Sequence, residues 1–463
     1  MYGAAFVARR APEGDDRLSG TSLLRAGAAF VILFGAYFAW RAWYFGEPLP
    51  NTFYLKTGAT LAALHRGFAY LRSYAQERLW VPMLAFAALV FSRSAWSRWL
   101  VVHTALHAGY VAYVGGDFYA GQRFLLVLAP NIALLVALVL VRASEMLRGR
   151  RAAWVVPAAA LAACLAVRWG TLRYGPYTAD LHGFGSYVDN NVKYMQWLKD
   201  VARPDATMVV GDIGATGLFT DVRAIDVFGV VDRTVAHKQV GGFGTGRAGH
   251  EKLLTREEQL ARNPTYIKWG YVDDWRRPPG YYIFNDFPRH LRVEGLWVKD
   301  DLAVGQTIEE ATWHLDQAEL ARWQRSGAAF TAAPSLQAAR GQKPINGANG
   351  TFIDTFTDAE GDGATGRLLS PPFELVGDRM RLLVGGGRDP ERLRVSLLVG
   401  DRRVFSETGS DWETLGRREW DIAPLRGQTA RIQIVDDATG AWGHLLVDEI
   451  EQWSGNADRS GKI

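Results

Sequence analysis

Two short stretches concentrate the residues of this chain that are best suited to chemistry. YFGEPLPNTFYLK (residues 44–56) and GGDFYAGQRF (residues 115–124) each combine aromatic, charged and turn-forming residues within a few positions. Carboxylates such as Glu47 and Asp117 can exchange protons, and cations can hold anionic groups. Both stretches lie at the ends of strongly apolar segments, where a chain leaves a bilayer. The sequence therefore predicts a site at a membrane surface.

The apolar segments that must position these stretches fall in the first third of the 463-residue chain. Several are shorter than the roughly 20 residues that span a bilayer as a helix. Five segments can be drawn: residues 26–45, 79–91, 99–114, 124–141 and 152–167.

Charge predicts how these segments are oriented. Arginines cluster before the first segment, between the second and third, and between the fourth and fifth, which makes those three regions cytoplasmic by the positive-inside rule. We therefore expect residues 1–25 to be cytoplasmic, residues 26–168 to form a multi-pass domain of the plasma membrane, and the rest to lie outside the cytoplasm.

Composition narrows the function classes further. The net charge of +4 is small for this length, and the basic residues cluster in membrane-flanking loops, so nucleic-acid binding is not expected. The single cysteine, Cys164, lies in an apolar run and excludes a disulfide framework.

A helix is predicted over residues 52–77, after two prolines that fix an extended turn. Asn51 is a good N-cap for it. Leucine and phenylalanine recur at three- and four-residue spacing, including Leu61 and Phe68, and form one apolar stripe. The helix is expected to lie along the outer membrane surface. The alternative is a surface helix of the soluble part that packs by the same stripe.

The two stretches together resemble paired signatures of bacterial membrane glycosyltransferases of the GT-C superfamily. The similarity is to the terminal arabinofuranosyltransferases of cell walls and to a related branch named for flagellar motor control. The run VGDIGATGLFTDVRAIDVFGVVD (residues 210–232) resembles the start of the extracytoplasmic domain in the same group. The resemblance implies transfer of a sugar from a polyprenyl-phosphate carrier to a glycan or lipid acceptor on the outer face, with inversion.

This resemblance implies roles for the residues of the two stretches. Asp117 and, more weakly, Glu47 are the carboxylates that would take the acceptor proton. Cations would meet the departing phosphate: Lys56, Arg66 and Arg123. Polar side chains would orient sugar hydroxyls: Tyr44, Asn51, Thr52 and Tyr54.

Each of these charged residues also has a purely structural interpretation. Arg123 opens the fourth apolar segment and can extend its side chain to the interface without a ligand. Asp117 follows two glycines and can serve as a turn or cap residue. Glu47 stands in a proline-flanked turn that tolerates any acid.

The chain also departs from this superfamily. Its members generally have eight or more transmembrane helices and an essential acidic site in the first outer loop. Here about five segments are present, and the first outer loop begins with the motif that lies downstream in the family. Asp15 and Asp16 precede the first segment on the cytoplasmic side. We therefore expect missing upstream helices, from the same polypeptide or from a partner.

A small α/β domain is predicted over residues 169–301, because strand and helix patterns alternate. Asp212 and Asp226 follow apolar strands, where α/β sheets bind ligands and where aspartates equally cap turns. Either residue is a candidate for acceptor binding. The glycine-rich loop at residues 237–252 either folds over an acceptor or is disordered.

Residues 302–346 are predicted to hold a helix, over residues 308–324, and a linker. An antiparallel β-sandwich is predicted over residues 347–455, followed by a tail over residues 456–463. Short strands recur there at sandwich spacing. The pattern resembles jelly-roll modules appended to bacterial carbohydrate-active enzymes. That resemblance implies a sugar platform of Trp412, Trp442 and His444, although core and turn roles explain these residues better. Asp436, Asp437 and Asp448 could hold a structural calcium or only cap turns.

Two hypotheses follow. The first is a membrane glycosyltransferase, or the C-terminal part of one, with a polyprenyl-phosphate sugar as donor. The second is a non-catalytic, membrane-anchored glycan-binding or assembly protein. No cofactor is required by the residues alone; a divalent cation, Mg²⁺ or Mn²⁺ at the transfer site or Ca²⁺ in the sandwich, is an expectation that the motifs leave open. Membrane lipids, a sugar donor and an acceptor are the expected partners.

Overall fold

A computed structural model describes residues 20–58, 60–78, 95–119, 121–146, 176–268, 277–300, 304–331 and 334–456, together with residues 81, 83, 86, 158 and 162. The predicted segments at 79–91 and 152–167 lie largely outside this part of the chain. Cys164, Asp15 and Asp16 lie outside it altogether.

The membrane-proximal part is helical. In chain order it contains α1 (Gly20–Phe45), α2 (Asn51–Lys56), α3 (Leu61–Glu77), α4 (Ala95–Tyr113), a 3-10 turn (Arg123–Leu128) and α5 (Ala129–Met146). Among the described residues, two helical stretches are long and apolar enough to cross a bilayer, Leu24–Phe45 and Arg123–Arg142. They match the first and fourth predicted segments. The third segment, in α4, does not meet this criterion, so five spans are not established.

The helix predicted over residues 52–77 is two helices, α2 and α3, and Asn51 does not cap either of them. Pro50 precedes α2 without a side-chain hydrogen bond, whereas the Thr60 hydroxyl caps α3 by accepting from the backbone of Ala63 at 3.1 Å. A threonine cap satisfies an otherwise unpaired helix N–H. The chain therefore turns between the two helices, where the prediction ran straight through.

Helix α3 packs against α4 through a small residue. Gly67 lies against the backbone of Ala112 in α4, so closely that a Cβ there would clash. The predicted apolar stripe is divided: Leu61 is 77% exposed and Phe68 is 57% exposed, whereas Leu71 packs on the helical core around Val111. The position of this helix along a membrane surface stays a prediction.

The α/β unit begins with α6 (Pro176–Val201) and contains a mixed five-stranded sheet in the order β2-β1-β3-β5-β4. Strands β1 (Thr207–Val210), β2 (Arg223–Asp226) and β3 (Tyr266–Lys268) are parallel, and β4 (Tyr281–Phe284) and β5 (Leu296–Lys299) are antiparallel. The apolar run of β1 is fully buried because its residues face two cores, as expected of a parallel strand covered on both faces. Three short helices complete the unit: α7 (Ile213–Phe219), α8 (Arg233–Ala236) and α9 (Arg256–Ala261).

The C-terminal part is a β-sandwich, as predicted. One antiparallel sheet has the order β14-β11-β16-β6 and the other β13-β12-β15-β9-β7. Leu382 of one sheet and Leu397 and Ile432 of the other share one core. The strands are β6 (Val304–Trp313), β7 (Gln324–Gly327), β8 (Ile353–Asp354), β9 (Gly366–Leu369), β10 (Phe373–Glu374), β11 (Arg379–Gly386), β12 (Leu393–Val399), β13 (Arg402–Glu407), β14 (Trp412–Asp421), β15 (Thr429–Asp436) and β16 (Leu445–Asn456).

The helix predicted over residues 308–324 is wrong. That stretch forms strand β6, the short helix α10 (Gln317–Leu320) and strand β7. Strand β6 pairs along β16, with Trp313 opposite Ile450, so the backbone ladder of a distant strand overrides the local helical spacing. Residues predicted as helix and linker thus supply strands to both sheets.

Buried polar contacts join the α/β unit to the sandwich. Asn285 donates to the Thr414 carbonyl at 2.7 Å and accepts from Arg418 at 2.6 Å. Arg417 donates to both carboxylate oxygens of Asp300, at 2.7 and 3.1 Å. Two-pronged arginine–carboxylate pairs fix relative orientation as well as distance. The two units are therefore held in one arrangement.

Candidate functional site

Asp117 lies at the centre of a charged cluster formed by helix α2, the turn after α4 and the 3-10 turn. Its side chain is completely enclosed and is ion-paired with two cations, Lys56 at 3.5 Å and Arg123 at shorter range. Gly115 and Gly116, both with positive φ, form the turn that carries it. A Cβ at Gly116 would lie 2.9 Å from Tyr70 of α3, so glycine lets the turn pack against that helix.

Aromatic rings support both cations of the Asp117 cluster. The Lys56 ammonium lies 4.5 Å from the Phe124 ring centroid, and the Arg123 guanidinium lies 4.0 Å from that of Tyr119. Burial lowers the pKa of Lys56, and the carboxylate of Asp117 opposes that shift. An ammonium taken partly out of water interacts more strongly with an anion placed beside it.

The glycine-rich loop (residues 237–252) packs onto this cluster. Thr60 donates to the Phe243 carbonyl at 2.6 Å, and Lys252 donates to the Tyr54 carbonyl at 2.7 Å. A Cβ at Gly244 would clash with the backbone of Ala63. The loop is therefore ordered against α2 and α3, and its glycines are what permit the close approach.

The loop contributes charged and aromatic groups that sequence reasoning missed. Glu251 pairs with Arg66 at 3.0 Å, and Arg247 lies 4.1 Å from the ring centroid of Phe118. His250 packs edge-on against Phe118 at 4.3 Å, and burial lowers its pKa. The only signal in the sequence was the alternation of glycine with charged residues in GRAGHEK.

The Asp117 cluster carries an excess of positive charge. Lys56, Arg66, Arg123 and Arg247 face the carboxylates of Asp117 and Glu251 alone. Within the part of the chain that the structure describes, Arg247 makes no ion pair. Such a set favours an anionic ligand.

A divalent cation does not fit this donor set. Mg²⁺ and Mn²⁺ prefer several oxygen ligands, whereas the two carboxylates of the cluster, Asp117 and Glu251, are already ion-paired with Lys56, Arg123 and Arg66. The described residues include no group of three or more His, Cys, Asp or Glu side chains arranged to hold a metal ion.

The other predicted residues of the first stretch do not converge on Asp117. Glu47 accepts from the Tyr54 hydroxyl at 3.0 Å and pairs with Arg233 at 2.7 Å, which ties the proline turn to α8. Tyr44 is 64% exposed and stacks on Trp40. The side chains of Asn51 and Thr52 make no contact with the cluster among the described interactions.

Asp212 and Asp226 have different environments. Asp212 lies beyond β1, is ion-paired with Lys268 at the end of β3, and accepts from the Tyr187 hydroxyl at 2.9 Å. Asp226 is buried and accepts from the backbone of Phe228 and Val231, so it fixes a turn. Asp212 thus lies at the carboxyl end of a parallel strand with its charge paired, whereas Asp226 serves its own turn.

A row of aromatic rings connects Asp212 with the Asp117 turn. Tyr119 packs edge-on against Phe184 of α6 at 5.0 Å, and Phe184 lies 6.1 Å from Tyr187. The rings of Phe184 and Tyr187 are substantially exposed. The two charged groups therefore share one continuous surface.

In the sandwich, His444 and Trp442 lie together, whereas Trp412 lines a separate cleft. The rings of His444 and Trp442 stack at 5.8 Å. His444 is held between Asp362 at 2.7 Å and Glu413 at 3.0 Å. Burial alone would lower the pKa of His444, but these two carboxylates raise it to about 9.

Three aspartates of the sandwich belong to the residue type that binds Ca²⁺, and each is engaged separately. Asp437 pairs with Arg367 at 3.0 Å, and Asp448 accepts from the backbone of Asn349 at 2.8 Å. Asp436 accepts from the backbone of Ala438, and burial raises its pKa to about 7. These contacts do not bring the three side chains into one coordination sphere.

Comparison with known proteins gives partial matches. The family described as Domain of unknown function (DUF8728) matches residues 182–329. A protein of Aspergillus rugulosus whose name proposes a glycosyl hydrolase is 36% identical over 129 residues, which is 28% of this chain and 18% of that protein. The chain thus spans under a fifth of the length of this curated relative.

Two solved structures also align with the chain. A family 35 carbohydrate-binding module from an environmental isolate is 19% identical, with a TM-score of 0.20 over 31% of this chain and 94% of that one. A carbohydrate-binding module of Clostridium perfringens, solved with methyl-galactose, is 14% identical, with a TM-score of 0.19 over 30% of this chain and 99% of that one. At such TM-scores these similarities carry no functional argument.

Proposed function

We propose that the protein is a membrane glycosyltransferase, or the C-terminal part of one, that takes a sugar from a polyprenyl-phosphate donor on the outer face of the plasma membrane. The observation that carries this proposal is the enclosed carboxylate of Asp117 between Lys56 and Arg123, beneath an ordered loop. The partial similarity to a protein named as a glycosyl hydrolase supports a carbohydrate substrate.

The proposed reaction is a single displacement. The acceptor hydroxyl oxygen forms a bond to the anomeric carbon, the bond from that carbon to the phosphate oxygen breaks, and the phosphate leaves with the electron pair. The acceptor proton passes to the Asp117 carboxylate. Inversion at the anomeric carbon follows from one displacement.

The cations have two roles in this proposal. Lys56 and Arg123 neutralise Asp117 before the donor binds, and they turn to the donor phosphate when it arrives. That exchange frees the carboxylate to act as a base. Arg247, which makes no ion pair in the described part of the chain, adds a further charge for the phosphate. The acceptor lies along the rings of Phe184 and Tyr187, with its reacting hydroxyl at Asp117 and its far end at Asp212.

Transfer by the purified full chain in nanodiscs tests this proposal. Polyprenyl-phosphate arabinose, mannose and glucose are supplied with a cell-envelope glycan extract, and donor consumption is measured. Asp117→Asn is expected to abolish transfer while leaving membrane insertion unchanged, and Asp189→Asn, which alters an exposed pair with Lys193, serves as the control. Transfer at the wild-type rate by the Asp117 variant would sink the assignment.

A second candidate is a non-catalytic glycan-binding or assembly protein. The saturated ion pairing of Asp117 favours it, because a carboxylate that remains paired with two cations is a poor base. If this candidate is right, the chain consumes no donor, even when it is co-expressed with a partner polypeptide that supplies further helices. The chain nevertheless still binds glycan.

A further inference from the structure

A cleft between the α/β unit and the sandwich has the features of a ligand site. It encloses about 300 Å³ between the loop that follows β4 and the turn that precedes β14. Specific small-molecule sites have about this size and occur preferentially where two units meet. We call it the arginine cleft, after Arg289, Arg292 and Arg388 in its wall.

The charge of the arginine cleft selects anions. Its three arginines face one lining carboxylate, Asp411. Arg388 is already engaged, since it donates to the Phe287 carbonyl at 3.1 Å and pairs with Asp286 at 3.9 Å. Arg289 and Arg292 are exposed, and within the described part of the chain neither guanidinium makes an ion pair. Guanidinium groups bind carboxylate and phosphate in a two-pronged geometry.

Other groups of the cleft suit a sugar ring. Trp412 is half-buried in the wall, where its ring offers an apolar face to the C–H groups of a sugar. Ser410 is 6% exposed, and its hydroxyl has no hydrogen-bond partner in the structure. An unpaired buried hydroxyl is costly, and a ligand hydroxyl in the cleft would satisfy it.

The walls of the cleft are fixed before any ligand binds. The Gly386 carbonyl accepts from the backbone of both Ser410 and Asp411, at 3.0 and 2.9 Å. On the opposite wall, Asn190 of α6 exchanges two hydrogen bonds with the backbone of Arg292, at 2.8 and 3.1 Å. A preformed site loses little conformational freedom on binding.

We propose that the arginine cleft binds an anionic sugar unit of a glycan, a uronate or a sugar phosphate. Arg289 and Arg292 hold the acidic group, Trp412 packs on the ring, and Ser410 bonds to a ring hydroxyl. The inference goes beyond the proposed transfer and does not depend on it, because binding at the cleft is measured without turnover.

Binding to the full chain in nanodiscs tests the inference by calorimetry. The probes are tri-galacturonate, its neutral methyl ester, glucose 1-phosphate and inorganic phosphate. We expect saturable binding of tri-galacturonate or glucose 1-phosphate, at least ~10-fold tighter than that of the ester and of inorganic phosphate. The preferred probe identifies the acidic group as carboxylate or phosphate.

Variants localise the binding. The double variant Arg289→Gln and Arg292→Gln, and separately Trp412→Ala, should each weaken it by at least ~10-fold. The matched control is Arg402→Gln with Arg403→Gln, two exposed arginines on β13. Asp117→Asn should bind as the wild type does, which separates this site from the transfer site.

Three results would overturn the inference. They are the absence of binding by both anionic sugars, equal binding of the neutral ester or of inorganic phosphate, and unchanged affinity in the double arginine variant.

Discussion

The guanidinium of Arg66 lies 3.0 Å from the carboxylate of Glu251, so helix α3 is paired with the glycine-rich loop of the α/β unit. The same guanidinium donates to the carbonyls of Gly115 and Gly246, at 3.0 and 2.7 Å. One side chain thus connects helix α3, the turn that carries Asp117 and the glycine-rich loop.

Replacement of Arg66 by alanine should release the glycine-rich loop. The change removes an ion pair and two hydrogen bonds to carbonyls, and it leaves Glu251 without its charged partner. Hydrogen exchange of residues 241–249 should accelerate by at least ~10-fold, since hydrogen bonds of a loop exchange by local opening. Arg72→Ala on the exposed side of α3 is the control, and equal exchange in the two variants would contradict the role of Arg66.

Gly244→Ala should also detach this loop, for a steric reason. Gly244 has a φ of +102°, and its missing Cβ makes room for the backbone of Ala63. The matched control is Gly241→Ala, because a Cβ at Gly241 meets nothing within 4 Å. We expect faster proteolysis of the loop in the first variant alone. Equal cleavage of both variants would mean that the close approach does not hold the loop.

Removal of a cation beside Asp117 should weaken use of the donor. Lys56→Gln and Arg123→Gln each delete a charge that the proposed mechanism moves to the phosphate, so kcat/KM for the donor should fall by about 10- to 1,000-fold. Lys193→Gln, which alters an exposed pair, is the control. Unchanged kcat/KM in both cation variants would exclude them from phosphate binding.

The stability of the sandwich should fall as pH rises from about 6.5 to about 9. The pKa of His444 is raised in the folded state to about 9, from 6.5 in the unfolded chain. Its contribution is therefore complete below pH 6.5 and is lost as pH rises through 9. The total is on the order of 3 kcal/mol, measurable as hydrogen exchange of β16 against pH. Glu413→Gln should flatten this dependence, and an equally steep profile in that variant would refute the assignment.

Asp436 should also make the stability of the sandwich fall as pH rises, but over a lower pH range than His444. Burial raises its pKa in the folded state to about 7, from 3.8. The folded state therefore binds this proton more tightly, and stability falls as pH rises from about 4 through 7. Asp436→Asn should remove the dependence in that window and leave the one above pH 7. Loss of both windows together would show that the two groups titrate as one.

The strands of the sandwich could be predicted because buried, apolar residues alternate with more exposed residues along the chain. In β12 and β15 every second side chain enters the core, and this period is visible without any knowledge of the partner strand. Strand β6 differs, since it lies at a sheet edge and is selected by pairing with β16. No local pattern encodes that pairing.

The residues of the candidate site likewise fall into two groups, those with a local sequence signal and those without one. Lys56, Asp117 and Arg123 could be predicted as a group because they fall in two short charged stretches beside apolar segments of the sequence. Arg247, His250 and Glu251 could not, because they reach the cluster only through the packing of a distant loop. That packing depends on glycines whose role is steric, and one sequence does not show which glycines lie against a neighbouring backbone.

The buried contacts between Arg417 and Asp300, and between Arg418 and Asn285, hold the sandwich at a fixed position on the α/β unit. The α/β unit also supplies the loop over Asp117, so the arginine cleft and the Asp117 cluster belong to one rigid arrangement. Under the two proposals above, a glycan that occupies both sites at once must have the length that spans their separation.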